Sequence, residues 1–205
     1  MTTETIRTVK VKAQWNAIFR GINRSESRYR ILKGSAGSGK SLNVAQDYIK
    51  KLSSDRYKGA NLLVVRKTDD TNRDSTFAEL RKAINRLFGE YADSVWRITQ
   101  SPMVMEHRRS GNRIIFRGMK DDAQREKVKS VTVPKGALCW IWCEEATELT
   151  REDVDILDDR LRGHMDEINP NLYYQITMTF NPVSATHWIK ARYFDKSDPE
   201  VMTHH

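Results

Sequence analysis

The chain has 205 residues, a usual length for one domain with a substantial core. Its net charge of +8 suits a polyanionic partner, although the charged residues are scattered along the sequence. The polar N-terminus and the lack of a long apolar run argue against a signal peptide and a membrane span, so we expect a soluble protein with no membrane partner. Cys139 and Cys143 lie in one apolar strand at a spacing that predicts two reduced thiols facing one core.

Hydrophobic periodicity predicts alternating helices and strands, the pattern of an α/β domain. The predicted helices are residues 11–24, 39–52, 74–88, 150–162 and 187–194. The predicted strands are residues 29–32, 61–65, 95–98, 104–107, 113–116, 138–143 and 172–180. Residues 118–136 are polar and lysine-rich, which predicts a functional or mobile loop. The strand at 138–143 is apolar throughout, as is typical of a strand buried on both faces of a parallel sheet.

A glycine-rich segment follows the first predicted strand and fits the phosphate-binding pattern G-x-x-x-x-G-K-[ST]. The segment is Gly34-Ser35-Ala36-Gly37-Ser38-Gly39-Lys40-Ser41, and all eight residues are candidates for binding nucleotide. Gly34, Gly37 and Gly39 let the backbone curl until successive N–H groups point at phosphate oxygens. The following helix directs the positive end of its dipole at the same anion. In this motif Lys40 would reach the β- and γ-phosphates as a catalytic residue, and Ser41 would ligate Mg²⁺.

A pair of carboxylates, Glu144 and Glu145, directly follows the apolar strand at 138–143. Ligands of parallel sheets bind at the carboxyl ends of the strands, where this pair lies. We expect Glu144 to hold Mg²⁺, and Glu145 to act as the second catalytic residue by orienting and activating the attacking water. The opposite assignment of the two roles stays open.

The position of this pair favours one branch of the P-loop NTPases. A long stretch containing strand 61–65 separates Lys40 from Glu144. This spacing is typical of the additional-strand, catalytic-glutamate (ASCE) topology, an α/β fold with a mainly parallel sheet flanked by helices. No Asn-Lys-x-Asp guanine-binding motif is present, which disfavours small GTPases. Gln14 lies where many P-loop motors contact adenine and is a candidate for that contact, although an exposed glutamine at a helix start explains it equally well.

Four blocks of sequence together resemble the ATPase domain of tailed-bacteriophage terminase large subunits. They are Gly34 to Ser41, Val64-Val65-Arg66-Lys67-Thr68, Ile141-Trp142-Cys143-Glu144-Glu145-Ala146-Thr147 and Thr177-Met178-Thr179-Phe180-Asn181-Pro182. The resemblance covers roughly residues 10–195. It implies a motor that hydrolyses ATP with Mg²⁺ and pumps double-stranded DNA through a portal ring into an empty capsid, in the cytoplasm of the infected host cell. The implied partners are the DNA, the portal protein, the small terminase subunit and further copies of the chain in a ring.

The last of these blocks corresponds to the coupling motif of the family. The resemblance implies that Thr179 and Asn181 sense the γ-phosphate and relay hydrolysis to the DNA grip. An Asn-Pro turn that merely ends a strand is the alternative interpretation.

Two positions depart from the family pattern. The centre of the glycine-rich loop lacks the arginine of some relatives, so transition-state charge would be met by another arginine, in cis or from a neighbouring subunit. Arg66, Arg73 and Arg81 are candidates. Glu144 stands where many relatives have aspartate, and its extra methylene suits a water-mediated contact with Mg²⁺.

The family also carries a C-terminal nuclease domain. The sequence ends at His205, soon after the coupling block, so we expect residues 1–205 to be a single P-loop ATPase domain without nuclease activity. Two alternatives to a packaging ATPase stay open. A helicase- or recombination-type nucleic-acid-dependent ATPase would share the topology and add nucleic-acid motifs after the acidic strand. A nucleotide-gated binding module would hydrolyse nothing and would have no use for Glu145.

Overall fold

An eight-stranded sheet forms the centre of the molecule, with helices packed on both of its faces. The computed structural model describes residues 16–182, 184, 186–195 and 197–204. The strands are β1 Tyr29–Lys33, β2 Ala60–Arg66, β3 Trp96–Gln100, β4 Met103–His107, β5 Arg113–Gly118, β6 Ala137–Glu144, β7 Gln175–Phe180 and β8 Val201–His204. The α-helices are α1 Arg20–Arg24, α2 Lys40–Leu52, α3 Asp69–Asn72, α4 Ala78–Phe88, α5 Ala92–Val95, α6 Asp122–Lys129, α7 Arg151–Arg160 and α8 Trp188–Tyr193. None of these helices is long and apolar enough to cross a membrane.

The strand order is β3-β4-β5-β2-β6-β7-β1-β8. The pairs from β5 through to β8 are parallel, whereas β3, β4 and β5 pair antiparallel. In space, β7 separates β1, which precedes the glycine-rich loop, from β6, which leads into the two glutamates. The strand at 61–65, which lies between these elements in sequence, flanks β6 on its other side. The predicted additional-strand topology is confirmed, but the strand that intervenes is β7 and not the strand at 61–65. The carboxyl ends of β1, β7 and β6 meet at one edge of the sheet.

The helices bury their apolar stripes against opposite faces of this sheet. On one face α2 and α4 contribute residues such as Tyr48 and Leu80, and on the other face α7 and α8 contribute residues such as Val154 and Ile189. Residues of β6 are divided between the two cores, and every residue from Leu138 onward is buried. This burial on both faces confirms the interpretation of its unbroken apolar sequence.

One extra residue in β6 changes the predicted direction of a side chain. The register between β2 and β6 shifts between Asn61 and Leu62, because Cys139 is the additional residue of a β-bulge. Cys139 packs in the core beneath α2, whereas Cys143 packs in the core on the other face. The prediction that both thiols face one core is therefore wrong. Both cysteines are free and buried, and burial raises the pKa of Cys139 to about 12.

Several boundaries differ from the predicted ones. Residues 118–136, predicted as a loop, contain α6, whose first turn is capped by the Asp121 carboxylate accepting from the Gln124 N–H. The helix predicted at 74–88 is α4, and it is preceded by α3 and by a five-residue π-helix, Arg73–Phe77.

The two ends of the chain also differ from the prediction. Residues 11–15 of the first predicted helix lie outside the described residues, and a 3₁₀ turn, Ala17–Phe19, leads into α1. The unpredicted strand β8 pairs in parallel with β1.

A buried ionic network fastens α2 to the sheet beneath it. The Arg30 guanidinium of β1 donates to the Asp47 carboxylate at 2.5 Å and to the Thr177 hydroxyl of β7 at 2.9 Å. Lys51 donates to the same carboxylate at 2.9 Å, and burial lowers the pKa of Lys51 to about 8. Removing one partner from a buried ion pair costs about 3–5 kcal/mol, because a charge is left uncompensated. The network therefore holds α2 in a fixed position relative to β7.

Candidate nucleotide-binding site

The glycine-rich loop joins β1 to α2 at the carboxyl edge of the sheet. Gly37 and Gly39 have φ angles of 78° and 83°, in the left-handed region where side chains are strained. Gly39 immediately precedes α2, and no side chain caps this end of the 13-residue helix. The first N–H groups of α2 and the positive end of its dipole are therefore available to an anion held by the loop.

Lys40 holds its ammonium group among four oxygen acceptors. The Lys40 Nζ atom lies 2.7 Å from Gly34 O, 3.0 Å from Ser35 O, 3.2 Å from Ser38 Oγ and 3.4 Å from Asn181 Oδ1. The side chain is buried. The loop backbone and Asn181 thus fix one positive charge at the predicted phosphate site.

A chain of hydrogen bonds joins α2, β6 and β7 around Glu144. Ser41 Oγ donates to Glu144 Oε1 at 2.5 Å, and the Thr179 hydroxyl donates to the other carboxylate oxygen. The Trp142 indole N–H donates to Thr179 Oγ1 at 2.8 Å, which orients that hydroxyl. Burial raises the pKa of Glu144, and the bonds from Ser41 and Thr179 oppose this rise by stabilising the carboxylate.

The donors around Glu144 fit a magnesium ion. A carboxylate and a hydroxyl are hard oxygen ligands, and they lie side by side next to the phosphate-binding loop. Among the described residues, no group of three His, Cys, Asp or Glu side chains could hold a metal by itself. Mg²⁺ commonly binds through one or two protein ligands together with substrate phosphates, and the Ser41–Glu144 pair suits that mode. When bound, such an ion neutralises negative charge on the phosphates.

Glu145 has an unusual backbone conformation. Its φ and ψ angles are 49° and 52°, and no other non-glycine residue in the described ranges has a positive φ. Such conformations cost about 1–3 kcal/mol and cluster at active sites. Asn181 Nδ2 donates to Glu145 Oε1 at 3.2 Å, while Asn181 Oδ1 accepts from Lys40. Asn181 therefore bridges the loop lysine and the second glutamate.

The structure brings the described candidate residues to one place at the carboxyl edge. They form two neighbouring sets of hydrogen bonds, one of Lys40, Asn181 and Glu145 and one of Ser41, Glu144 and Thr179. Residues 35–38 of the loop are exposed beside them. Gln14 lies outside the described residues, so its adenine contact stays a prediction.

Arg66, a candidate for meeting transition-state charge, is held in an ion pair. Its Nη2 lies 3.1 Å from Glu148 Oε1, and its Nη1 donates to Ser75 Oγ at 2.9 Å. The other two candidates, Arg73 and Arg81, line a surface groove outside the glycine-rich loop. Sequence reasoning missed the role of Glu148, because its contact with Arg66 joins positions 82 residues apart.

We expect Glu144→Gln to weaken Mg²⁺-dependent nucleotide binding. Glutamine keeps the shape of the side chain but removes the charge that would offset the metal. Titration of the variant with ATP should show reduced affinity in the presence of Mg²⁺ and unchanged affinity in EDTA. Ser41→Ala, which removes the neighbouring ligand, should give the same pattern. Wild-type Mg²⁺-dependent affinity in both variants would contradict the proposed metal site.

Together the strand order, the glycine-rich loop and the position of the paired glutamates define a P-loop NTPase fold with an additional strand. A family model described as "Phage terminase large subunit" matches residues 26–205. The chain belongs to this family. The match confirms the resemblance that the four sequence blocks predicted and gives no support to the helicase- or recombination-type alternative.

Two curated relatives illustrate the likeness in sequence. The PBSX phage terminase large subunit of Bacillus subtilis (strain 168) is 31% identical over 169 residues, covering 82% of this chain and 34% of the relative. The large terminase subunit of Bacillus phage SPP1 is 30% identical over 167 residues, covering 80% of this chain and 37% of the relative. The chain thus spans about a third of the length of these relatives.

The structural comparison concerns the fold. The large terminase from a thermophilic bacteriophage superposes with a TM-score of 0.68 at 16% identity, covering 91% of this chain and 42% of that protein. Structures of the same thermophilic-phage protein have also been solved in complex with ADP and with ATP-gamma-S.

Proposed function

We propose that this chain hydrolyses ATP with Mg²⁺ to drive the packaging of viral double-stranded DNA into a procapsid. The observation that carries the proposal is the convergence of Lys40, Ser41, Glu144 and Glu145 at one edge of the sheet, with Asn181 between the lysine and the second glutamate. The nucleotide complexes of the thermophilic-phage large terminase support the choice of an adenine nucleotide.

The contacts support a division of labour between the two glutamates. Glu144 is hydrogen-bonded to Ser41, the hydroxyl that this motif offers to the metal, so Glu144 would hold Mg²⁺. Glu145 instead contacts Asn181, which also contacts Lys40, so its carboxylate would lie near the terminal phosphate. From there Glu145 would orient the attacking water and accept its proton.

The coupling residues fit into the same scheme. Thr179 contacts Glu144, and Asn181 contacts both Lys40 and Glu145. Loss of the terminal phosphate would change the partners of Lys40 and Glu145. Asn181, which contacts both residues and follows β7, would respond to that change. Thr179 and Asn181 would thus link the state of the nucleotide to the position of a central strand.

The proposal extends to partners and to the place of action. As part of a packaging motor in the cytoplasm of the infected host cell, the chain would contact double-stranded DNA, the portal protein and the small terminase subunit. It would work as a ring of copies on the portal, which lets a neighbouring subunit supply the arginine that the glycine-rich loop lacks. Residues 1–205 would form the ATPase unit of that assembly.

The test is release of inorganic phosphate from ATP by the purified chain. We expect release in Mg²⁺ and none in EDTA, because the phosphate charge must be neutralised for transfer. Tight ATP binding without hydrolysis in Mg²⁺ would favour a nucleotide-gated binding module instead. Failure to bind ATP at all would overturn the assignment of the site.

A further inference from the structure

A basic groove lies at the carboxyl edge of the sheet, beside the β3–β4 turn. It consists of two adjoining cavities of about 420 and 490 Å³ that share Arg73, Gln100 and Met103 in their linings. The cations that line this basic groove are Arg73, Arg81, Lys82, Arg117 and Lys127. Within the described lining, Asp69 is the one carboxylate, and it already accepts from the Gly118 N–H at 2.7 Å. The groove therefore presents a strong excess of positive charge.

Three of these cations differ from many others in the molecule, whereas Lys82 lies 3.7 Å from the Glu79 carboxylate. Arginines elsewhere are commonly paired with carboxylates, as Arg28 is with Asp158 and Arg192 with Asp155. In the part of the chain that the structure describes, Arg73, Arg81 and Lys127 are exposed and form no ion pair. Such a cluster of unneutralised charge is suited to a polyanion.

The shape and chemistry of the groove favour the backbone of duplex DNA. Arg73 and Arg81 are eight positions apart, which separates them by roughly two helical turns, on the order of 10 Å, along the axis. Duplex DNA carries one charge per ~1.7 Å of its axis, so these cations can face several phosphates. The aromatic residues of the lining, Phe77 and Phe116, are buried and offer no face for stacking bases. They also offer no exposed anchor of the kind that protein partners use.

We infer that the basic groove binds the phosphate backbone of double-stranded DNA without reading its sequence. The inference rests on the proposed packaging function and deepens it by naming the surface that contacts the DNA. Strands β7, β6 and β2 lie between β1 and β5, so the groove lies about four strand spacings of ~4.8 Å from the glycine-rich loop. DNA and nucleotide would therefore occupy the same edge of the sheet without overlapping.

The local backbone ties the groove to the rest of the site. Arg73 is the first residue of the π-helix, a feature often found at functional positions. Ser75 in the same π-helix accepts a hydrogen bond from Arg66, whose guanidinium also holds Glu148. The Arg66 side chain thus connects the π-helix at the groove to Glu148, which follows the two glutamates in sequence.

The experiment measures binding of a fluorescent 30-base-pair duplex by anisotropy across a series of KCl concentrations. We expect Arg73→Ala/Arg81→Ala to weaken binding roughly tenfold or more at low salt and to reduce the slope of log affinity against log salt by about 2, because two phosphate contacts are lost. Arg117→Ala/Lys127→Ala should act similarly through the other half of the groove. Circular dichroism and ATP affinity of both variants should match the wild type.

The matched control is Arg20→Ala/Arg24→Ala, which removes the same charge from α1 and a separate cleft. It should leave the salt slope unchanged. Equal losses in the control and groove variants would overturn the inference, since net charge alone would then explain them. Wild-type binding in both groove variants would overturn it as well, while leaving the packaging function intact. A wild-type chain that hydrolyses or binds ATP but binds no duplex at any salt concentration would overturn the DNA-packaging function and the groove together.

Discussion

Lys40→Ala is expected to abolish nucleotide binding and hydrolysis together. The Lys40 ammonium is the single positive charge fixed inside the glycine-rich loop, and the proposed phosphates would pair with it in the ground state and the transition state alike. Losing such uniform binding lowers the affinity for ATP, and a chain that does not bind ATP cannot hydrolyse it. The expected result is no measurable ATP binding by calorimetry at concentrations that saturate the wild type, and no phosphate release.

The matched control for this variant is Lys50→Ala, which removes the same charge from the far end of α2. It should bind ATP like the wild type. The buried Arg30–Asp47 network holds α2 independently of Lys40, so the Lys40→Ala variant should keep its fold. Circular dichroism checks this. Wild-type ATP affinity in a folded Lys40→Ala chain would refute the P-loop assignment.

Glu145→Gln is expected to separate binding from hydrolysis. Glutamine preserves the shape of the side chain and can still pair with Asn181, but it cannot accept a proton from water. Loss of a general base slows a reaction roughly 10²-fold or more. We therefore expect ATP affinity close to that of the wild type, with hydrolysis slowed by at least that factor in single-turnover measurements.

The neighbouring glutamate sharpens this test. Glu144→Gln should show the opposite pattern, with weakened Mg²⁺-dependent binding, and exposed Glu152→Gln should change neither quantity. If Glu144→Gln binds normally and loses only hydrolysis, while Glu145→Gln loses Mg²⁺-dependent binding, the two roles are reversed. If both variants hydrolyse ATP at the wild-type rate, neither glutamate is catalytic and the proposed enzyme loses its main support.

The central strands of the fold were predictable because their signals are local. The segment at 138–143 is recognisable by its unbroken apolar sequence and the glycine-rich loop by its motif, and both are found where expected. The bulge at Cys139 was not predictable, because a strand buried on both faces has no alternation from which an extra residue could be detected. The helix α6 was missed since Val128 is its one buried residue, so no apolar stripe reveals it. The Asp121 cap was the remaining local signal.

The candidate site was predictable in its members but not in its contacts. Motif spacing placed Lys40, Ser41 and the glutamates together, because strands of a parallel sheet end at one edge. The bridge through Asn181 and the hydroxyl of Thr179 on Glu144 depend on which strands are neighbours in space. That order follows from packing of the whole sheet, and the sequence suggested only that an additional strand intervenes. The left-handed backbone of Glu145 likewise has no local signature, since glycine is the residue that such positions favour.

The Arg66 side chain contacts both the segment after the paired glutamates and the π-helix, and this double contact has a thermodynamic consequence. A buried guanidinium that bonds both Glu148 and Ser75 cannot follow one of them without straining its bond to the other. Any coupling free energy carried by this contact is reciprocal. If bound nucleotide changes the affinity of the basic groove for duplex DNA by some factor, the duplex must change the affinity for nucleotide by the same factor. The duplex would then be an allosteric effector of the ATP site as well as the substrate that the motor moves.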